Sequence, residues 1–447
     1  MIAWATEKIM TRYIRSNFSP ETIERLAGLI NRRNGERPNG KLTGAIQSIR
    51  LRKTINYVYK HSPFYRSMFE RLKIAPSSIL TVEDLKRLPL TSPEDIKDLE
   101  KFLCVPHHRL SAVYTSSGTT GEPKRVYFTL RDLQILINVN AVLMRVGHRG
   151  RFVALIALPV CHGLWIASSI AHKMVERAGG LPLPVGADNP QDTLRWMRRF
   201  NPNVVISSPS IMTAVTREAE REGYRPRIDK LLLSGEMLSE AHKSYFSRYW
   251  GADVYNGYGS TEMGGAQTIA QPGCSGFHPN DLHLVTEIVD PQTGKPAEEG
   301  EIVFTTLSRE AMPLLRYRSG DRGRWINCGC NLPLRTLKIT GRTDDMIVAG
   351  DMNLFGPLIA KAISGVPGAS GRVRIELHKH ELKDKMVLYV EGGPLDTEDV
   401  FLALHCTYPE IETNVYNGNL SLEIKTGVDL GTQIKALSIL DKRFVGT

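Results

Sequence analysis

Apolar positions along the chain follow two spacings, and the spacing changes near residue 150. Before it, "PETIERLAGLINRRNG" and "GAIQSIRLRKTINYVYKHSP" place apolar residues at helical intervals, which predicts two helices. The segment "SPEDIKDLEKFL" starts with a serine, a proline and acidic residues. These residue types favour a helix start, so a third helix is predicted there.

From Arg151 onward, short apolar runs alternate with amphipathic segments. The runs "RFVALIALP", "NVVISS", "IDKLLLSGE" and "ADVYNGYG" predict strands, and "NPQDTLRWMRRF", "PSIMTAVTREAEREG" and "SEAHKSYFSRYWG" predict the helices between them. This alternation is typical of a parallel sheet covered by helices. Ligands bind such sheets beyond the carboxyl ends of the strands, where "SGE" and "YGSTE" follow two of these runs.

After Gly265 the strands become shorter and follow each other directly, as in "LHLVTEIVD" and "GEIVFTTL". A domain boundary is predicted near Gly341, giving a large domain over 1–340 and a small one over 341–447. The strands "RVRIELH" and "MVLYVEG" and the helix "TEDVFLALHCTYP" predict an α+β fold for the small domain. The fold class expected for the whole chain is α/β.

Composition is that of a globular protein, with 42% apolar and 23% charged residues and a formal net charge of +10. A basic surface that attracts anionic substrates such as nucleotides is favoured over nucleic-acid binding, because no Lys/Arg block stands out. The run from Phe152 to Ala171 is long enough to cross a bilayer, but Pro159, His162 and Gly163 interrupt it. We therefore expect a buried strand, a turn and a helix, and no membrane partner.

The N-terminus has scattered charges and no long apolar segment, so no signal peptide is expected. Six cysteines in a chain of this length then indicate a reducing compartment, and a cytoplasmic location is predicted. A homodimer is also an expectation.

The stretch "YTSSGTTGEPKR" has the composition of a phosphate-binding loop. Its glycines let backbone N–H groups approach an anion, its hydroxyls can donate, and Lys124 adds charge. The spacing excludes a Walker-type loop, because Lys124 does not directly follow the second glycine. A Ser/Thr/Gly loop that stands alone is more often a solvated turn, so the other segments decide between the two interpretations.

Three further segments follow in order: "YNGYGSTEMGG", "YRSGDRGRW" and "GRTDDMIVAGD". The ordered series resembles the acyl-adenylate-forming (AMP-binding) superfamily, and within it the phenylacetate–CoA ligase-like branch. "SPFYRSMFERLKIAPSSILTVEDLKRLPLTSPEDI" resembles the leader of that branch, and "IKALSILDKR" resembles its ending, so the likeness covers nearly the whole chain. It implies a large N-terminal adenylate-forming domain with a small barrel-like part, followed by a mobile C-terminal domain.

The resemblance implies a nucleotide site for ATP and Mg²⁺. The loop would hold the β- and γ-phosphates, Thr261 would contact the α-phosphate, and Glu262 would help to hold Mg²⁺. Arg342 would lie near ribose and phosphate. The residues implied to bind the nucleotide are Ser116, Ser117, Gly118, Thr119, Thr120, Gly121, Lys124, Ser234, Gly235, Glu236, Asn256, Tyr258, Gly259 and Asp321. Asn256 and Tyr258 would face the adenine, and Asp321 the ribose hydroxyls.

Lys435 in "QIKALSILDKR" aligns with the lysine of the branch that approaches the substrate carboxylate, although Ile434 replaces the usual glycine. A lysine so near a C-terminus is otherwise a surface residue. Asp344 would be the hinge between the domains. The branch usually has an arginine–glycine pair where Gly350 and Asp351 stand.

Two smaller predictions concern the acyl pocket and a metal. His162 and Trp165 are expected to line the pocket, although both residue types in an apolar run are often plain core residues. Four further residues, Cys274, His278, Cys328 and Cys330, could form a tetrahedral structural zinc site, as relatives in the branch suggest. The alternative is unrelated thiols that only pack.

The expected activity is ATP-dependent activation of an aromatic or compact carboxylic acid to an acyl-adenylate, followed by transfer to CoA with release of AMP and pyrophosphate. An amide-forming ligase with an amine acceptor is the alternative with the same first step. A degenerate nucleotide-binding scaffold is the alternative of another class. Retention of the motif residues argues against the scaffold.

Overall fold

The structure is a computed structural model that describes residues 39–116, 124–145, 151–159, 166–186, 189–236, 238, 240–330, 334–342, 346–350, 352–393, 395–430 and 437–444. Its helices are α1 Asn39–His61, α2 Pro63–Leu72, α3 Leu99–Phe102, α4 Leu130–Arg145, α5 Ile166–Arg177, α6 Pro190–Phe200, α7 Pro209–Arg221, α8 Glu240–Trp250, α9 Gly356–Ser364, α10 Thr397–Thr407 and α11 Glu410–Tyr416.

Its strands are β1 Leu110–Ser116, β2 Lys124–Thr129, β3 Val153–Ala157, β4 Leu181–Pro184, β5 Val204–Ser207, β6 Lys230–Ser234, β7 Asp253–Ser260, β8 Gly265–Ala270, β9 His278–Pro279, β10 Leu284–Val289, β11 Glu299–Thr306, β12 Tyr317–Ile326, β13 Thr336–Arg342, β14 Met346–Ala349, β15 Met352–Phe355, β16 Ala369–His380, β17 Lys383–Gly392, β18 Leu420–Lys425 and β19 Leu437–Asp441. The α/β fold class is confirmed.

A seven-stranded sheet in the order β4-β3-β5-β6-β7-β8-β9 forms the centre of the larger part. The strands from β4 to β7 in this order are parallel, as the sequence predicts, and β8 and β9 continue the sheet antiparallel. Its side chains alternate between two cores. Val205 of β5 packs with residues of α6, α7 and α8, while Val204 and Ile206 pack with residues of α4 and α5. Helices therefore cover both faces.

Two helices that flank this sheet begin at side-chain caps. Asn189 accepts a hydrogen bond from the Gln191 backbone and precedes α6, and Ser208 caps α7 through the Ile211 N–H. Both helices start with a proline, which fits the first turn because its missing N–H needs no partner there. This local chemistry places the two helix starts beside the carboxyl ends of the strands before them.

A four-stranded antiparallel sheet in the order β10-β11-β12-β13 stands where the resemblance implies a barrel-like part. Within the described residues, its strands form an open sheet and no closed barrel. A separate hairpin pairs β1 with β2, and Ser116 lies opposite Lys124 in its register. The two strands thus run directly into and out of the loop that the sequence singles out.

Residues near the C-terminus form a core of their own, built from β14–β19 and α9–α11. Among the described residues, side chains of α7 and α8 contact this region. His242 of α8 lies 2.9 Å from the Leu382 carbonyl through Nε2, and Arg217 of α7 donates to the carbonyls of Asn417 and Gly418. The domain boundary near Gly341 and the mobility of the small domain stay predictions.

One helix prediction is wrong. "SPEDIKDLEKFL" forms a short 3-10 turn over Asp95–Lys97 and the four-residue α3, not one helix. The Asp95 carboxylate accepts hydrogen bonds from the backbone and hydroxyl of Ser92 at 2.7 and 2.8 Å. The Ser92 hydroxyl in turn accepts from the Asp95 N–H at 3.3 Å, so the predicted cap is formed. The helix is interrupted at Asp98, whose φ of −80° and ψ of 80° lie outside the helical region. The helix predicted over "PETIERLAGLINRRNG" lies outside the described residues.

A helix that crosses a bilayer must be long and predominantly apolar. None of the helices within the described ranges combines the length and the apolar character that a bilayer crossing requires. The run from Phe152 forms β3 and later α5, and the turn predicted between them falls on residues outside the described ranges.

Candidate functional site

Two sheets meet at a three-residue polar contact. Tyr258 projects from β7 of the central sheet, and its hydroxyl donates to Oδ2 of Asp321 at 2.6 Å. Asp321 lies on β12 directly opposite Arg342 of β13, whose Nη1 donates to Oδ1 of the carboxylate at 2.7 Å. Both carboxylate oxygens are therefore held, and the orientation of Asp321 is fixed from two sheets.

Burial and charge act together on the tyrosine of this contact. Burial, followed by the negative charge and the hydrogen bond of Asp321, raises the pKa of Tyr258 well above its usual value. The phenol therefore stays protonated at neutral pH and donates to the carboxylate. Asp321 and Arg342 remain partly open to solvent, with side chains 13% and 22% exposed, so a ligand can reach them.

A second ion pair lies at the end of the β1–β2 hairpin. The ammonium of Lys124 is 2.9 Å from Oε1 of Glu262, and the two side chains are only 12% and 4% exposed. The hydroxyl of Tyr317 donates to the same oxygen at 3.2 Å. Arg309 donates from Nη1 to the Glu262 carbonyl at 2.7 Å, which fixes the backbone that carries the carboxylate.

The pKa of Glu262 reports a balance between burial and charge. Burial would raise it, but the ammonium of Lys124, its hydrogen bond and the Ser260 hydroxyl outweigh burial and leave the pKa below its ordinary value. Glu262 is thus a charged, buried carboxylate beside the loop predicted to bind phosphates. Carboxylate oxygen is also the ligand type that Mg²⁺ prefers, so the donor chemistry fits that ion.

Asn256 on β7 carries an unsatisfied polar atom. Its side chain is 7% exposed, and its Oδ1 has no hydrogen-bond partner among the described residues. A buried acceptor without a donor costs free energy, so such an atom indicates a ligand that supplies one. The exocyclic amine of adenine is a donor of this kind.

Gly259 lies near the end of β7, and Thr261 lies in the turn that follows. The hydroxyl of Thr261 donates to the Thr115 carbonyl at 3.3 Å and so ties the turn to the strand that enters the loop. A Cβ on Gly259 would lie 2.0 Å from the Gly265 carbonyl oxygen, so the close approach of β7 and β8 requires glycine there.

The "SGE" segment lies at the end of β6, where Ser234 pairs with Gly257 of β7. The Glu236 carboxylate turns toward the start of α7 and accepts from the Ser210 backbone and hydroxyl at 2.9 and 2.6 Å. It also borders a small polar cleft that reaches Gly350 and Lys379 of the C-terminal region. The structure therefore places Glu236 between the central sheet and that region.

Gly350 explains one departure from the branch pattern. It adopts φ +61°, and a Cβ there would lie 2.4 Å from the Asn414 side-chain oxygen. Its N–H donates to Asp384 at 3.0 Å. Glycine is thus required at this position by the backbone and by the packing.

Nine predicted residues lie outside the described part of the chain, as does the side chain of Ser116. They belong to the phosphate loop, the acyl pocket, the hinge and the C-terminal ending: Ser117, Gly118, Thr119, Thr120, Gly121, His162, Trp165, Asp344 and Lys435. Two residues to which the sequence analysis gave no role, Tyr317 at the start of "YRSGDRGRW" and Arg309, contact the site directly. Buried aromatic and basic residues carry no such signal in a single sequence.

Residues 66–308, more than half of the chain, match the family described as AMP-binding enzyme. The chain belongs to the AMP-binding enzyme family. A phenylacetate–coenzyme A ligase of Aromatoleum evansii is 30% identical to it over 362 residues, which cover 78% of this chain and 82% of that protein. Another phenylacetate–coenzyme A ligase, from Thermus thermophilus, is 31% identical over 79% of this chain and 82% of its own length.

A solved structure of 2-hydroxyisobutyryl-CoA ligase in complex with 2-HIB-AMP and CoA has the same fold. Its TM-score is 0.74 at 23% identity, over 90% of this chain and 91% of that chain. The resemblance predicted from the ordered motifs is therefore confirmed.

The four predicted zinc ligands of this AMP-binding enzyme lie together. Cys274 and His278 come from the segment around β9, and Cys328 and Cys330 follow β12. Their ligand atoms all lie within 4.8 Å of one another. Nε2 of His278 is 3.3 Å from the sulfurs of both Cys274 and Cys330.

A hydrogen bond at Nδ1 orients the imidazole of His278, whose Nε2 faces the sulfurs. Nδ1 of His278 lies 3.1 Å from the Arg335 carbonyl, which accepts a hydrogen bond only if Nδ1 carries the proton. Nε2 is then the unprotonated nitrogen that faces the thiols. Three sulfurs and one such nitrogen fit the closed tetrahedral set of a structural zinc site.

Proposed function

We propose that the protein is an AMP-forming acid–CoA ligase that acts on an aromatic or compact carboxylic acid. The single observation that carries the proposal is the set of polar contacts formed by the Lys124–Glu262 ion pair and by the Arg342–Asp321 ion pair with Tyr258, in an AMP-binding enzyme. The phenylacetate–coenzyme A ligases among its relatives support an aromatic acid and CoA as substrates.

Each part of the site has a proposed partner on ATP. Asn256 accepts from the adenine amine, which satisfies its buried oxygen, and Tyr258 lies along the base. Asp321 and Arg342 bind the ribose and its phosphate. The β- and γ-phosphates are bound by Lys124 and the loop 117–123. Thr261 contacts the α-phosphate, and Glu262 is the protein ligand for Mg²⁺.

The chemistry needs charge neutralisation and positioning more than a protein nucleophile. The substrate carboxylate attacks the α-phosphorus, the bond to the bridging oxygen breaks, and pyrophosphate leaves with that electron pair. The CoA thiol then attacks the acyl carbon, loses its proton and displaces AMP. Mg²⁺ supplies Lewis-acid charge when bound, and Lys124, Arg342 and Lys435 are the protein cations proposed to stabilise the phosphates.

Acid-dependent exchange of labelled pyrophosphate into ATP, without CoA, tests the first half-reaction. We expect exchange with at least one aryl or short-chain acid, and AMP rather than ADP as the nucleotide product. Lys435→Ala should abolish exchange, whereas the matched change Lys425→Ala, at an exposed position on β18, should leave it intact. Exchange that survives Lys435→Ala would refute the role of Lys435.

The acceptor is tested separately with the acids that support exchange. CoA should yield a thioester with loss of free thiol, and an amine panel should yield no amide. Amide formation without thioester would favour the amide-forming alternative. Tight ATP binding with no exchange across the panel would favour the scaffold. The homodimer, and the absence of nucleic-acid and membrane partners, stay predictions.

We further propose that Cys274, His278, Cys328 and Cys330 bind a structural zinc ion. The site would hold the segment around β9 against the end of β12, and it leaves no open position for catalysis. Thiol ligands need a reducing compartment, which supports the proposed cytoplasmic location. Purified protein should contain about one zinc per chain by elemental analysis. Cys330→Ser should lose it and unfold at lower temperature, whereas Cys406→Ser, at an exposed cysteine, should keep both properties.

A further inference from the structure

Tyr317 is a buried residue with a polar contact in the site. It opens β12, its side chain is 1% exposed, and its hydroxyl lies 3.2 Å from Oε1 of Glu262. The ammonium of Lys124 contacts the same oxygen at 2.9 Å. One carboxylate oxygen thus receives a charged donor from one side and a neutral donor from another.

The two donors differ in how firmly the fold holds them. The ring of Tyr317 packs on Phe304 with centroids 5.3 Å apart, and its backbone pairs with Phe304 and bridges to Thr91. The tyrosine hydroxyl therefore sits at a position set by the sheet. Lys124 reaches Glu262 through a flexible four-carbon stem at the mouth of the phosphate loop.

This difference matters once a nucleotide enters. If Lys124 turns to the phosphates, its ammonium leaves a carboxylate that is only 4% exposed. An ammonium donor can follow the phosphate, but a tyrosine on a buried strand cannot. The tyrosine hydroxyl can donate to the carboxylate whether or not Lys124 remains beside it.

We propose that Tyr317 is a positioning residue for Glu262, which keeps the carboxylate oriented toward the divalent cation that accompanies ATP while Lys124 moves to the phosphates. This inference rests on the proposed function, because it takes Glu262 as the Mg²⁺ ligand. Arg309 assists from the backbone side by holding the Glu262 carbonyl at 2.7 Å. The consequence is specific to the metal: Tyr317 controls how much Mg²⁺ strengthens ATP binding.

The test compares ATP binding with Mg²⁺ and with EDTA, by calorimetry on the full chain, in wild type and Tyr317→Phe. The phenylalanine keeps the ring and removes only the donor. The dissociation constant in EDTA divided by that with Mg²⁺ measures how much Mg²⁺ strengthens ATP binding. This ratio should be about tenfold lower in the variant, a typical effect of a lost hydrogen bond to a charged group. The dissociation constant in EDTA should stay within about twofold.

Tyr65→Phe is the matched control. Tyr65 is 0% exposed in the same core cluster, and its hydroxyl accepts from the Leu315 N–H at 2.9 Å, away from Glu262. This control should lower thermal stability and leave the Mg²⁺ ratio unchanged. If Tyr317→Phe leaves the Mg²⁺ ratio unchanged as the control does, or weakens ATP binding equally with and without Mg²⁺, the role of Tyr317 is only structural. The inference is then overturned.

Failure of the proposed function gives a different pattern. Absence of acid-dependent pyrophosphate exchange in wild type, with the Mg²⁺ ratio still lowered in Tyr317→Phe, would refute the ligase and keep the positioning role. If Mg²⁺ does not strengthen ATP binding in wild type, Glu262 holds no cation and the inference is overturned, while exchange still decides the activity.

Discussion

The ion pair between Lys124 and Glu262 makes a prediction about stability that is independent of catalysis. Lys124→Met removes the ammonium, keeps a chain of similar length, and leaves the Glu262 side chain 4% exposed without its closest cation. Removing one partner of a buried pair costs about 3–5 kcal/mol, because the other charge stays buried. We therefore expect the variant to be less stable at pH 8.

The pH dependence carries the test. In wild type the folded pKa of Glu262 lies below the ordinary value of 4.5, because Lys124 and its hydrogen bond outweigh burial. The pair thus stabilises the fold above pH 4.5 and loses that effect as the pH falls below it. In the variant burial dominates and the folded pKa rises above 4.5. The loss of stability in the variant is then largest at high pH and becomes smaller as the carboxylate is protonated. The difference between the unfolding midpoints of the two proteins should therefore decrease from pH 8 to pH 5.

Thermal unfolding at pH 5, 6.5 and 8 measures this effect. The midpoint is compared rather than an extrapolated free energy, because a chain of 447 residues need not unfold in two states. A loss of 3–5 kcal/mol corresponds to about 5–8 °C for a unit of some 300 residues. The double variant Lys124→Met/Glu262→Gln removes both charges and should recover most of the loss. A loss that is equal at all three pH values, or additive losses in the double variant, would refute the reasoning.

Three further predictions concern single contacts. Asp321→Asn weakens the pairing with Arg342 and should raise the dissociation constant for ATP about tenfold by calorimetry, with an unchanged circular dichroism spectrum. Gly259→Ala should abolish ATP binding or soluble expression, because its Cβ would lie 2.0 Å from a carbonyl oxygen. Burial and the Lys379 charge lower the pKa of His242 from 6.5 to about 4, so the fold favours the neutral ring and loses up to about 3 kcal/mol as the pH falls from 6.5 to 4. In His242→Gln, the fall of the unfolding midpoint across that pH range should be shallower than in wild type.

The helices that the sequence predicted correctly have local residue patterns that favour a helix. α6 and α7 have a cap, a proline and an amphipathic face, and each follows a short apolar run that became a strand. The segment after Ser92 has similar residue types but forms a turn. There the predicted cap forms between Ser92 and Asp95, but the backbone leaves the helical region at Asp98, which a pattern of residue types does not show.

Some site residues could be predicted from motifs, whereas their partners could not. Asp321 and Glu262 were found from ordered motifs, but their partners depend on strand register. The pairing that sets Arg342 against Asp321 spans 21 residues and depends on the register of β12 against β13, which shifts between Arg322 and Gly323. Tyr317 and Arg309 reach Glu262 only because the four-stranded sheet and the central sheet approach each other. An aromatic residue at the start of a strand otherwise predicts core packing.

The two site carboxylates share one arrangement, and it bears on how the site accepts an anion. Asp321 is held by the Arg342 guanidinium and the Tyr258 hydroxyl, and Glu262 by the Lys124 ammonium and the Tyr317 hydroxyl. In each case the cation balances the carboxylate, and the tyrosine comes from a strand. A cation that turns to a phosphate therefore leaves behind a carboxylate that is still hydrogen-bonded and still oriented. Binding can then exchange charge partners without exposing an unheld buried charge, which is the property that Tyr317→Phe should remove and Tyr65→Phe should leave intact.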